Sequence, residues 1–166
     1  MNHRTRTFIR YLFVVLLGVF LHFAYDRSGN NPIVGLFALT TESVWEHLKL
    51  IFFPMLILTL WDLYTRQRNN LSFLPARVIG ILSGMIFTIV VFYTVTGVIG
   101  ATIAWVNILI YLLSVAFAFW VEKKLCNRCR NLSISWAIFI LILFIILFIV
   151  FTIAPPDLGI FRPMEL

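Results

Sequence analysis

The stretch Glu42-Ser43-Val44-Trp45-Glu46-His47-Leu48-Lys49 gathers two carboxylates, an imidazole and an ammonium within two helical turns' worth of chain. Upstream, His22 and Asp26 stand four residues apart, on one face of any helix that carries both. Tyr11, Val15 and Gly18 continue that stripe. Carboxylates and imidazoles together form a ligand set for a divalent cation, zinc by ligand type, and His22, Asp26, Glu46 and His47 are the candidate ligands. Without a metal, carboxylates crowded beside a histidine shift one another's proton affinity and can pass protons. Lys49 adds a cation suited to an anionic head group. Glu46-His47 lacks the second histidine of an H-E-x-x-H, and the sequence has neither a G-x-S-x-G nor a glycine-rich phosphate loop.

A structural role competes for the same residues. Ser43-x-x-Glu46 fits a helix-start capping box, and acidic residues in a first turn suit the positive end of the helix dipole. Capping leaves unexplained why Glu42 and Glu46, which repel at i and i+4 when both are ionised, are followed at once by His47 and Lys49. Tyr93 and Asn107 fall at the same depth on the third and fourth spans and join the candidate site. Each has an inter-helix hydrogen bond as its plainer role.

These groups need elements to position them. The chain has 166 residues, of which 61% are hydrophobic and 12% charged, with a mean hydropathy of +1.00. That composition leaves too little polar surface for a water-soluble globule, and 17 Phe with 5 Trp argue against disorder. Continuous apolar runs at about 8–25, 43–64, 78–95, 102–121 and 135–154 predict an all-α integral membrane protein. It is one domain over 1–166, a bundle of five transmembrane helices. Pro54 is expected to break the second run. Ile33 to Leu39 is too short to span, and is expected to lie in the interface or dip back over the polar cluster as a lid, with the tail after Pro155-Pro156 above the same surface. Gly80 and Gly84 form a G-x-x-x-G suited to close helix packing, in this chain or in a homo-oligomer or membrane partner.

Charge placement sets the orientation. With the N-terminus inside, ten of the 13 Lys and Arg residues fall in cytoplasmic segments, against Arg27, Lys49 and Arg162 on the other side. The net charge of +6 is therefore topology information and not a nucleic-acid footprint. The first span has a basic start but lacks small residues at alternating positions before a cut, so it is read as uncleaved. Asp62 is read as an i,i+4 partner of Arg66. Cys126 and Cys129 form a lone C-x-x-C without further ligands, read as two reduced thiols at a helix end.

His22-Phe23-x-Tyr25-Asp26-x-Ser28-Gly29, Val34-Gly35-Leu36-Phe37, Glu42 to Lys49 with Phe53-Pro54, Phe92-Tyr93-Thr94-x-Thr96-Gly97 and Pro155-Pro156-x-Leu158 run through nearly the whole chain. With these the sequence resembles an uncharacterised family of small bacterial membrane proteins, a domain of unknown function. It departs from the family at Thr41, where Asn is usual, at Asn107, where an acid is usual, and in the tail after Arg162. The resemblance implies the bacterial cytoplasmic membrane and no activity. Two functions follow from the residues. The first is a one-sided binding or catalytic site, metal-dependent if the ligand set is filled, for a lipid-derived or envelope substrate. The second is a transport or accessory subunit whose cluster binds an ion, a proton or a partner helix.

Overall fold

A continuous apolar run has no polar face for water, so it closes its backbone hydrogen bonds internally as a helix. The computed structural model describes residues 3–65, 71–126 and 132–163. Their order is α1 (His3–Arg27), a single turn α2 (Pro32–Gly35), α3 (Val44–Thr65), α4 (Leu74–Ile99), α5 (Ala104–Leu125) and α6 (Ile134–Ile153). Three-residue 3-10 turns at Leu71–Phe73 and Gly159–Phe161 flank α4 and follow α6. The five longer helices are each long and apolar enough to cross a membrane, and they overlap the five runs expected. α4 starts earlier than expected because Pro75 sits in its first turn, where a missing N–H costs nothing. It ends on Gly100, whose φ of 76° supplies the left-handed cap.

Pro54 does not break α3. The helix runs through it, and Leu50, whose carbonyl loses its i+4 donor to the proline, has the Tyr111 hydroxyl 3.4 Å from that oxygen. The same hydroxyl lies 3.2 Å and 3.3 Å from the Val14 and Val15 carbonyls. A side chain on α5 therefore ties α1 to α3. Gly18 makes this approach possible, since a Cβ there would stand 2.0 Å from Tyr111 Oη.

α3 is the central helix, packing against α1, α4, α5 and α6. Its Leu48, Ile51, Phe52 and Met55 are buried with Val14, Ile81 and Phe148 in the main apolar core. The closest helix pair is α4 with α5. There Gly80 and Gly84 face the Ala118 and Ser114 carbonyls of the same chain, with room for no Cβ. Both glycines thus serve close packing within this chain. At the periphery the apolar faces point outward, with Phe8, Phe20 and Phe139 each more than 60% exposed.

The helices alternate in direction. One end of the bundle carries His22, Glu46, Asn107 and Thr152, and the other carries Arg10, Asp62, Arg77 and Glu122. Sixteen residues of α3 separate Glu46 from Asp62, about 24 Å at about 1.5 Å per residue. That distance is close to the hydrocarbon thickness of a bilayer, about 30 Å.

Candidate functional site

Ser43 ends the extended approach to α3 and caps it, its Oγ accepting from the Glu46 N–H at 3.3 Å. The helix therefore begins at Val44, and Glu42 stands in the turn before it, not one helical turn from Glu46 on a shared stripe. This small shift separates the two carboxylates. Glu42 turns toward His47 and the end of α1, while Glu46 turns toward the segment that follows α2.

His22, Glu42 and His47 bring one ligating atom each into a group whose members all lie within 4.8 Å of one another. The His47 Nδ1 lies 2.8 Å from the Ser43 carbonyl, so this nitrogen carries the proton and donates it. Nε2 is left facing Glu42 Oε2 at 3.4 Å. An imidazole nitrogen and a carboxylate oxygen at that distance make a place where a cation, a proton or a metal, can be shared. The His22 ring meets His47 edge-on, centroids 5.6 Å apart. Zinc ligands at about 2.0–2.1 Å stand about 3.4 Å apart in a tetrahedron, which the His47–Glu42 pair matches already and His22 reaches by a small side-chain movement. A backbone carbonyl that fixes the far nitrogen of a histidine is also the usual support for a metal-binding imidazole.

The three groups line a cavity of about 290 Å³ together with Asn107, Tyr111 and Gly18. Val19 and Ile108 on its rim are 45% and 61% exposed, so it opens sideways between α1 and α5. The Tyr111–Gly18 contact forms its floor. Gly18 lies on the stripe that continues from His22, whereas Tyr111 sits among apolar neighbours along the chain and was not singled out. Only the pairing of Pro54 with an opposing hydroxyl could have flagged the tyrosine.

The other sequence candidates lie elsewhere. Asp26, one turn beyond His22, is exposed. Tyr93 is 45% exposed and packs edge-on against Phe92, away from the cavity. Glu46 and Lys49 are buried in a closed clasp. Lys49 Nζ donates to Glu46 Oε2 at 2.7 Å, to the Gly35 carbonyl at 3.0 Å and to the Ala38 carbonyl at 3.4 Å. Three donors meet three acceptors, which exhausts the ammonium and leaves Lys49 no reach to a head group. Glu46 Oε2 also accepts from the Thr40 N–H at 3.0 Å and the Thr40 hydroxyl at 2.8 Å, and Thr152 Oγ1 stands 3.2 Å from Oε1. In a capping box the glutamate would reach back to Ser43; here it holds the 35–40 segment down. Of the two placements expected for it, in the interface or dipping back over the polar cluster, the segment takes the second at Glu46 and Lys49, with Ala38 fully buried. It does not line the His22–His47 cavity. The tail covers the start of α3, where Phe161 packs on Trp45 at 5.0 Å and Ser43 bridges to Pro163.

A second polar cluster occupies the opposite end, which sequence reasoning left nearly empty. Asp62 pairs with Arg10 and, at 2.9 Å, with Arg77. Arg77 is fully buried; it reaches Glu122 Oε2 at 2.8 Å through Nε and the Thr59 hydroxyl at 3.2 Å. Asp62 is thus bound to two arginines on other helices, while Arg66 lies outside the described residues. Of the C-x-x-C, Cys126 is exposed and Cys129 is likewise outside them.

The architecture and its polar ends define a helical bundle with five membrane-spanning-capable helices and a histidine–carboxylate cavity at one end. The chain belongs to a family of unknown function, DUF6512, whose model matches residues 2–164. No curated protein and no solved structure matches it.

Proposed function

We propose that this chain is a multi-pass protein of the bacterial cytoplasmic membrane that holds one divalent metal ion, zinc by ligand type, and uses it on a lipid-derived or envelope substrate at the outer face. The observation that carries this reading is His47 Nε2 facing Glu42 Oε2 at 3.4 Å, with Nδ1–H already committed to Ser43 and His22 close by. The concentration of Lys and Arg toward the Asp62 end supports a cytoplasmic N-terminus and a cavity on the other side. The sideways opening between Val19 and Ile108 suits a substrate that carries an acyl chain.

His22, Glu42 and His47 would supply three ligands and leave further positions open toward the cavity, the arrangement of a catalytic rather than a structural ion. Bound there, such an ion would supply Lewis-acid polarisation of an ester or phosphoester oxygen and activate a water as nucleophile. Asn107 offers an amide to a substrate oxygen, and the Tyr111 floor keeps the site one-sided. Transport has less support, because the hydroxyls deeper in the bundle are already engaged. Tyr11 bonds to the Leu112 carbonyl at 3.2 Å, and the Thr88 and Ser114 hydroxyls meet at 2.8 Å.

Elemental analysis of protein purified in mild detergent, at neutral pH without chelator, tests the reading. About one zinc or similar ion per chain is expected, lost in His47→Ala and in Glu42→Gln. Wild-type protein without stoichiometric metal overturns it, and His47 and Glu42 are then a proton-shared pair.

A further inference from the structure

At the Asp62 end a groove of about 440 Å³ lies between α1 and α3. Its walls are apolar, with Ile9 and Phe13 on one side and Ile57 and Trp61 on the other, each more than 40% exposed. Arg6 and Arg10 stand at its mouth, one turn apart on the same face of α1.

Among the described residues the ion pairs at this mouth leave one cation over. Arg10 and Arg77 are matched by Asp62 and Glu122, two cations against two anions. Arg6 remains. It is exposed and forms no ion pair with any described residue. Aromatic side chains mark the depth: Trp61 and Tyr64 are both strongly exposed with rings 6.5 Å apart, and Lys124 Nζ sits 4.2 Å over the Trp120 ring. Tryptophan and tyrosine gather where lipid tails give way to head groups, and a basic pocket between helices at that level is suited to an anionic head group.

We propose that this groove binds one anionic phospholipid, its phosphate on Arg6 and an acyl chain along Ile9, Phe13 and Ile57. Charge complementarity selects the anion, and the apolar walls below Arg6 select a ligand with a chain attached to it. The inference rests on the membrane reading but not on the metal.

Native mass spectrometry of the detergent-solubilised full chain, with phosphatidylglycerol or phosphatidylcholine added, tests it. Phosphatidylglycerol is expected to be retained as a one-lipid adduct and phosphatidylcholine is not. Arg6→Gln should lower retention about fivefold, and Ile57→Trp, which fills the groove, should lower it as well. Arg162→Gln, at the opposite end, should leave it unchanged, and excess inorganic phosphate should not displace the lipid. Equal retention of the two lipids, or full retention in either groove variant, overturns the proposal. So does complete displacement by phosphate, which would mean a head-group site without a chain. Metal content serves as an independent readout and should be the same in Arg6→Gln as in the parent.

Discussion

Glu42 and Glu46 differ by four positions and by almost everything else. Glu42 is 40% exposed and faces an imidazole, whereas Glu46 is 4% exposed and neutralises a fully buried ammonium. Their conservative variants should therefore fail in opposite ways. Glu46→Gln leaves Lys49 charged and without a counter-ion, a loss of about 3–5 kcal/mol, so its thermal unfolding in detergent should come at a markedly lower temperature with metal still bound by the folded fraction. Glu42→Gln should unfold near the parent temperature and carry no metal. The same unfolding temperature in both variants would remove the distinction. The sequence made the richness of the motif plain, but not the division of labour within it. Whether Glu42 lies inside the helix or in the turn before Val44 decides which carboxylate faces inward, and Ser43 fits either arrangement.

Among the elements, α1, α3 and α5 meet at one point, where Gly18, Leu50 and Tyr111 converge. A methyl at position 18 would collide with the Tyr111 hydroxyl at 2.0 Å and the Leu50 carbonyl at 2.7 Å. Gly18→Ala should destabilise the protein by about 1–3 kcal/mol, as overpacking does. Tyr111→Phe removes the nearest colliding atom, so the double variant should lose less than the sum of the single ones. That sub-additivity, read from unfolding in a double-mutant cycle, would place the clash at the hydroxyl; strict additivity would not. The helices themselves were legible, because an unbroken apolar run admits no other backbone arrangement in lipid. Pro54 was misleading for a physical reason. A proline weakens a helix by orphaning a carbonyl, and here a tyrosine from a helix nearly sixty residues away lies against that carbonyl, a contact that local sequence does not announce.

On the scale of the whole molecule, both ends of the bundle are fastened by ion pairs, and the stretch between them by apolar packing and small residues. The Asp62 end is the more demanding. Arg77 must address Asp62, Thr59 and Glu122 from one planar group, a task for a guanidinium and not for an ammonium. Arg77→Lys should therefore lower the unfolding temperature, and Asp62→Asn should cost about 3–5 kcal/mol by leaving two arginines short of a partner. Unfolding of Asp62→Asn at the parent temperature would mean that Glu122 alone balances Arg77. This network escaped the sequence because its members come from four helices and each reads singly as a span-end charge. Asp62 was accounted for by Arg66, its i,i+4 neighbour, so nothing along the chain pointed to partners on other helices.

The tail lies over the first turn of α3, with Phe161 on Trp45 and Pro163 beside Ser43. Those contacts join residues more than a hundred positions apart, and a ribosome adds about 5–20 residues each second. For roughly 6–23 s after Trp45 has been made, the turn that presents His47 has no cover. During that interval the newborn chain shows this turn bare to its surroundings, and residues made more than a hundred positions later come to cover it.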